Sequence, residues 1–210
     1  MHDRTDHGEQ LGDHYMLNKD GFFEQSYHVP LIIRNPNTPP SARGRVVSEF
    51  SEHVDVLPTV LDCVALDIPA QADGKSLLPF LHGEDAPIWW RKEAHWEFDY
   101  RDRNPPEGSD PAACSLCVLR GERWKYVQFA DERMPPLLFD MAAEKGAESV
   151  NMALSTNAEH VAAKVDSAMK MLQWRMRHAE HTLTHLNISE TGLSDSGHRL
   201  SDAVRLAPKL

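Results

Sequence analysis

Three cysteines in 210 residues are too few, and too oddly counted, for the disulfide framework of a secreted scaffold. Positive charge is also scarce: 22 Lys and Arg stand against 32 Asp and Glu, for a formal net charge of -10. That balance argues against a phosphate-backbone binder, which carries a basic patch or stripe. No apolar run approaches the length of a membrane span, and the N-terminus lacks a signal peptide's apolar core. No internal repeat or low-complexity tract is present. These absences predict a soluble, cytoplasmic protein with neither nucleic acid nor membrane as partner. They leave a small anionic substrate open, because a local metal and a lysine outweigh a distant negative surface. With 41% hydrophobic and 26% charged residues the composition is that of an ordinary globular chain, long enough for one domain or one and a half.

The chain falls into three parts. Residues 1–85 open on a polar loop and continue into VPLIIRNP (29–36), a short apolar run that predicts a strand buried on both faces of a parallel sheet. In SEHVDVLPTVLDCVAL (51–66), Val54, Leu57, Leu61 and Val64 fall at helical spacing for one buried face. Pro58 suits the opening of that helix, where a missing N–H costs nothing. The next part, 86–185, reads as a small antiparallel sheet: KEAHWEFDYR (92–101), two strands within SLCVLRGERWKYVQFA (115–130), and PPLLFDM (135–141), whose prolines suit an edge. A long helix follows, N-capped by Asn157 and lined on one face by Val161, Val165, Ala168, Leu172, Ala179 and Leu183. The polar segment 186–210 predicts a tail or an oligomerisation arm. CSLC (114–117) has the spacing of half a zinc site, but no second pair exists, and two strand thiols are the stronger reading.

The opening DHGEQLGDHYMLNK (6–19) concentrates chemistry. Asp6 and His7 are adjacent, so they can share a metal only where the chain turns, and Gly8 permits a turn. A carboxylate with a neutral imidazole suits a divalent ion used as a Lewis acid. Lys19 is a compact cation able to reach an anionic ester oxygen. On the residues alone, a solvated polar turn is the favoured reading, since Asp-His pairs are common and the chain has 12 histidines.

TDHGEQLGDHYMLNK followed by FFEQSYHVPLIIRNP resembles the sulfatase branch of the alkaline phosphatase superfamily, and looks most like its phosphonate monoester hydrolases and arylsulfatases. Asp6-His7-Gly8, Gly12-Asp13-His14, Lys19, Glu24, Ser26 and Val29-Pro30 carry the pattern. The helix with Asp55-x-x-Pro58-Thr59, the later Gly74-x-Ser76-Leu77, LRGERWKYVQF and PLLFDMAAEKGAESVNMA extend it over roughly residues 4 to 185. The resemblance implies an α/β fold: the C-terminal part of an alkaline-phosphatase-like mixed sheet with flanking helices, plus a small antiparallel sheet packed with a long helix. It implies that Asp6 and His7 bind one divalent metal ion (calcium, manganese or magnesium) and that Lys19 is catalytic, binding the oxyanion of a small anionic ester. His14 is expected to shape the loop. A homo-oligomer is expected for the complete enzyme.

The departures shape the expectation further. The family's nucleophile, a formylglycine made within Cys/Ser-x-Pro-x-Arg, has no counterpart in the 210 residues, and the paired aspartates of the family's first strand are absent. MHDR is charged where an apolar strand leading to Asp6 is expected, so that strand is predicted to be missing. His28 stands where an arginine commonly precedes Val-Pro. The chain therefore reads as the C-terminal portion of a metal-dependent hydrolase of sulfate, phosphonate or phosphate esters, a fragment or truncated frame inactive by itself, with formylglycine in the missing N-terminal half. The alternatives are a phosphodiesterase or phosphatase of the same superfamily and a non-catalytic oligomerisation or binding module.

Overall fold

Alternation of apolar and polar residues from Glu93 to Asp140 produces one antiparallel sheet. The computed structural model of the chain describes residues 2–4, 6–69, 71–101, 110–143, 147–178, 186–189 and 192–195. Two short strands, β1 (His2–Arg4) and β2 (Leu31–Ile33), pair antiparallel. The four-stranded sheet follows as β3 (Glu93–Asp99), β4 (Ser115–Gly121), β5 (Trp124–Phe129) and β6 (Leu137–Asp140), in spatial order β3-β4-β5-β6. The leading prolines of β6 stand at an edge strand, where a missing donor leaves no ladder bond unmade. Among the described residues before 179 there are four α-helices, α1 (Glu24–Tyr27), α2 (Val56–Cys63), α3 (Leu78–Leu81) and α4 (Ala158–His178), and five single-turn 3-10 helices.

Side-chain alternation gives the sheet two buried faces. On one, Cys117, Leu119, Tyr126 and Leu138 pack with Ala153 and with Met171 of α4. On the other, Leu116, Val118, Val127, Phe129 and Phe139 pack with Trp96 of the sheet and with Phe22 from the opening segment. A smaller cluster of Leu77, Phe80 and Trp90 takes Leu31 and Ile33 against it. Each fully buried large apolar side chain on these two faces stabilises the fold by about 1.5–3 kcal/mol. The opening loop is thus seated on a sheet far from it in sequence.

The helix after residue 51 is organised by polar groups. Asp55 is 0% exposed. Its carboxylate accepts from the backbone N–H of Glu52 at 2.8 Å and of Lys75 at 2.8 Å, and it pairs bidentately with Arg91. Thr59 Oγ1 donates to the Asp55 carbonyl at 2.6 Å and accepts from Leu77 N–H at 2.9 Å. Gly74 passes so close to the Val54 carbonyl that a Cβ there would overlap its oxygen. The Asp-x-x-Pro-Thr and Gly-x-Ser-Leu stretches are therefore two halves of one hydrogen-bonded staple.

Several expectations need correction. The strand at residues 31–33 is not buried on both faces or in a parallel sheet: it pairs antiparallel with β1, and Ile32 is 61% exposed while Leu31 and Ile33 turn inward. A strand does precede Asp6, because His2–Arg4 pairs with β2 through backbone groups that do not depend on side-chain polarity. On α2 the buried residues are Pro58 and Thr59, next to Asp55, and Val54, Leu57 and Val64 are exposed. That helix begins at Val56, with a capping box between Glu52 and Asp55 just before it, so Pro58 is its third residue. A proline there still removes an N–H that has no partner within the helix.

The long helix starts where expected, with Asn157 Oδ1 accepting from Glu159 N–H at 2.8 Å. Its buried side is mostly different: Ser167 and Met171 are buried, with Ala163, Trp174 and, as expected, Ala168 packed on the core, whereas Val161, Val165 and Leu172 are exposed. Trp174 stacks on His95 of β3 at 4.6 Å between ring centroids, which fixes the rotation of the helix. Ala179 and Leu183 lie outside the described residues. In the last segment a backbone hairpin forms between β7 (Leu186–Ser189) and β8 (Gly192–Asp195), regular structure that its polar composition did not suggest. Among the described residues no helix is long and apolar enough to cross a membrane.

Candidate active site

The opening loop is closed on itself. Gln10 N–H donates to the Asn18 carbonyl at 2.9 Å and Gly12 N–H to the Met16 carbonyl at 2.9 Å. Gln10 is buried, and its Nε2 bridges the Asp20 carbonyl at 2.8 Å and Ser26 Oγ at 3.2 Å. Leu11, His14, Tyr15 and Asn18 all have left-handed backbone, with φ of 51, 55, 61 and 69°. Residues with a Cβ occupy that region only when their surroundings hold them there, and such strain gathers at functional sites.

Asp6 and His7 come together at the root of this loop. Asp6 Oδ2 lies 3.7 Å from His7 Nε2, and the Asp6 side chain is 84% exposed. His7 Nδ1 donates to the Gly8 carbonyl at 2.7 Å. With the proton on Nδ1 of a neutral ring, Nε2 carries the lone pair. The Asp6 carboxyl is held below the usual carboxylate range by a hydrogen bond from its own backbone, then by the charges of His7 and Lys19. Two donor atoms 3.7 Å apart are spaced as neighbouring ligands of one ion, each about 2.0–2.6 Å from it. Among the described residues no group of three or more His, Cys, Asp and Glu is arranged to hold a metal.

The glycine between this pair and the loop has a different use from the expected turn. Gly8 runs against α1: its N–H donates to the Ser26 carbonyl at 2.8 Å, and a Cβ would overlap the Gln25 carbonyl oxygen. It is a close-approach glycine, pressing the chain after the Asp-His pair onto the helix that follows Lys19. His14, expected to shape the loop, stacks on Phe23 at 3.7 Å between centroids and lies 3.9 Å from Glu148 Oε2.

Beneath the loop lie Lys125, Glu148 and Arg120, which sequence reading passed over, gathered around Glu24 of the family pattern. Lys125 is 0% exposed, pairs with Glu148 Oε1 and reaches Glu24 Oε1 at 3.2 Å. Glu24, the first residue of α1, also accepts from Arg120 Nε at 3.3 Å, and its N–H donates to Glu148 Oε2 at 3.1 Å. A signal existed in WKYVQF: Lys125 shares its sheet face with Val127 and Phe129, both buried. A lysine in register with core positions marks a buried ion pair. Cys114 and Cys117 are buried free thiols; Cys117 lies on β4 and belongs to the core under α4, as the strand-thiol reading expects, whereas Cys114 lies in the turn before β4.

With the geometry in hand, the relatives can be compared. The family model described as N-sulphoglucosamine sulphohydrolase, C-terminal, matches residues 12–175. The multifunctional alkaline phosphatase superfamily protein PehA of Trinickia caryophylli is 42% identical over 199 residues, covering 92% of this chain and 37% of that protein. Arylsulfatase K of Xenopus laevis is 32% identical over 151 residues, 67% of this chain and 25% of its own length. The crystal structure of the phosphonate monoester hydrolase of Agrobacterium radiobacter superposes with a TM-score of 0.78 at 41% identity, over 93% of this chain and 38% of that one. The chain thus spans well under half the length of the relatives it matches. It belongs to the N-sulphoglucosamine sulphohydrolase C-terminal family, among the sulfatases and phosphonate monoester hydrolases of the alkaline phosphatase superfamily.

Proposed function

We propose that this chain supplies the metal-binding and oxyanion-binding half of the active site of a metal-dependent hydrolase of sulfate or phosphonate esters. One observation carries the reading: Asp6 Oδ2 and His7 Nε2 face each other at 3.7 Å at the root of the loop that bears Lys19. Asp6 and His7 would hold the divalent ion, which when bound stabilises negative charge on the ester oxygens as a Lewis acid. Calcium, magnesium or manganese suits a site in which further oxygen ligands come from outside these residues. Asp6 keeps its negative charge to lower pH than an ordinary aspartate. Lys19 places a cation beside the same centre, where it neutralises charge developing on the sulfuryl or phosphoryl oxygens as the ester bond breaks. The covalent nucleophile, a formylglycine by family resemblance, is not encoded by any Cys/Ser-x-Pro-x-Arg in the 210 residues.

The test is a chimera joining the part of the Trinickia caryophylli protein that this chain does not match to residues 1–210. Aryl sulfate and aryl phosphonate hydrolysis are assayed for the chimera and for the chain alone. The chain alone is expected to show no turnover, and the chimera to hydrolyse at least one ester. Asp6→Ala in the chimera is expected to lose metal and activity together, and Lys19→Ala to keep metal and lose rate. Unchanged metal content in Asp6→Ala would remove the site assignment.

A further inference from the structure

We propose that Lys125 is a positioning residue: acting through Glu24 and Glu148, it fixes from the four-stranded sheet the place of the loop that carries Lys19. The inference rests on the reading of Lys19 given above, but its structural half stands without it. Lys125 lies on β5, fully buried, and its ammonium sits 5.0 Å from the centre of the Trp96 ring. It bonds to two carboxylates that both grip the opening segment. Glu24 follows Lys19 by five residues and begins α1. Glu148 takes the backbone N–H of Glu24 at 3.1 Å and lies 3.9 Å from His14, inside the loop. One buried lysine therefore joins both ends of the segment from His14 to Glu24.

Shape and place are held by different bonds. The pairs Gln10–Asn18 and Gly12–Met16 and the Gln10 side chain lie within the opening segment, so they set its shape. The polar contacts described here that anchor it to the sheet run to Lys125 and Arg120, with Phe22 adding ring contacts to Phe129 at 6.3 Å and Phe139 at 6.0 Å. Stability alone does not ask for a lysine here. The neighbouring inward position holds Val127, and replacing a buried ion pair by well-packed apolar residues is often neutral or stabilising. An apolar side chain would cover the same sheet without locating Glu24 and Glu148 relative to each other.

Amide hydrogen exchange on the 210-residue chain is the primary test, with Lys125→Met. The amide of Glu24, which donates to Glu148 Oε2, is expected to exchange at least about tenfold faster relative to those of Leu119, Val127 and Met171, whose own exchange also rises because Lys125→Met leaves Glu148 buried without its cation. Unchanged protection at Glu24 overturns the proposal, and so does equal loss at Glu24 and in the sheet, which would make Lys125 a core residue only. Where Lys125→Met does not fold, Glu24→Gln decides by the same criterion, since it keeps the Lys125–Glu148 pair. A double-mutant cycle in the chimera supplies a readout that a core role does not move. Lys125→Met is expected to lower kcat about 10- to 100-fold with metal content unchanged, and to have no further effect when Lys19 is already Ala. An additive effect in the Lys19→Ala background contradicts the proposal. An inactive parent chimera instead counts against the hydrolase reading and leaves hydrogen exchange to decide the positioning role.

Discussion

At the scale of single residues, charge in this protein is buried where it locates backbone. Asp55 takes two backbone N–H groups and a bidentate arginine, so each of its oxygens is occupied and its desolvation is offset. Arg91→Met removes the cation and leaves that carboxylate buried, at an expected cost of about 3–5 kcal/mol, to be read from urea unfolding. A loss below about 1 kcal/mol would show that the staple is dispensable. Glu52 beside it is pushed up by burial, but the hydrogen bond from His95 and the Arg91 charge hold it below the usual range. Its contribution to stability is present above the ordinary carboxylate pKa and is lost as pH falls through the lowered one. Cys117 shows the opposite sign. Burial pushes its thiol up to about 11 from an ordinary 9.0, so its contribution is whole below pH 9 and is lost as pH rises through about 11. Thiolate absorbance during alkaline titration checks this: Cys117→Ala should remove a titrating group near 11, and loss of one near 9 instead would be at odds with a buried thiol.

At the scale of elements, the sheet strands were legible because alternation decides which side of a strand faces inward, and aromatic and β-branched residues supplied the pattern. The long helix was legible in its existence and its cap but not in its orientation. Two stripes compete on it. Val161, Val165, Met169, Leu172 and Met176 form the more hydrophobic one, and all are exposed. The stripe through Ala163, Ser167, Met171 and Trp174 wins because Trp174 stacks on His95 and Lys170 pairs with Glu93 of β3 at 3.0 Å. Such tertiary partners are invisible to periodicity. Met171→Ala is therefore expected to cost about 2–5 kcal/mol, and Val165→Ala to stay within about 0.5 kcal/mol, both from thermal or urea unfolding. The reverse order would restore the hydrophobic stripe as the buried one. The helix α2 misled in the same way, since its inward side is polar and is satisfied through Asp55 and Thr59.

At the scale of the whole molecule, the opening loop is held by elements more than a hundred residues away in sequence, through Lys125 and Glu148. The candidate residues Asp6, His7 and Lys19 could be picked out from their types and spacing together with the family pattern. Their supports could not, because ion pairs between distant segments leave no local period. The central claim is that Asp6 and His7 form a metal half-site, and Mn²⁺ titration of the 210-residue chain followed by proton NMR tests it most directly. Two protein ligands make binding weak, but paramagnetic broadening reports weak contacts by proximity. The account predicts that the His7 ring signals broaden before those of the other histidines among the 12, and that Asp6→Ala abolishes this preference. Broadening of His7 no earlier than the rest, or an unchanged preference in Asp6→Ala, would contradict it.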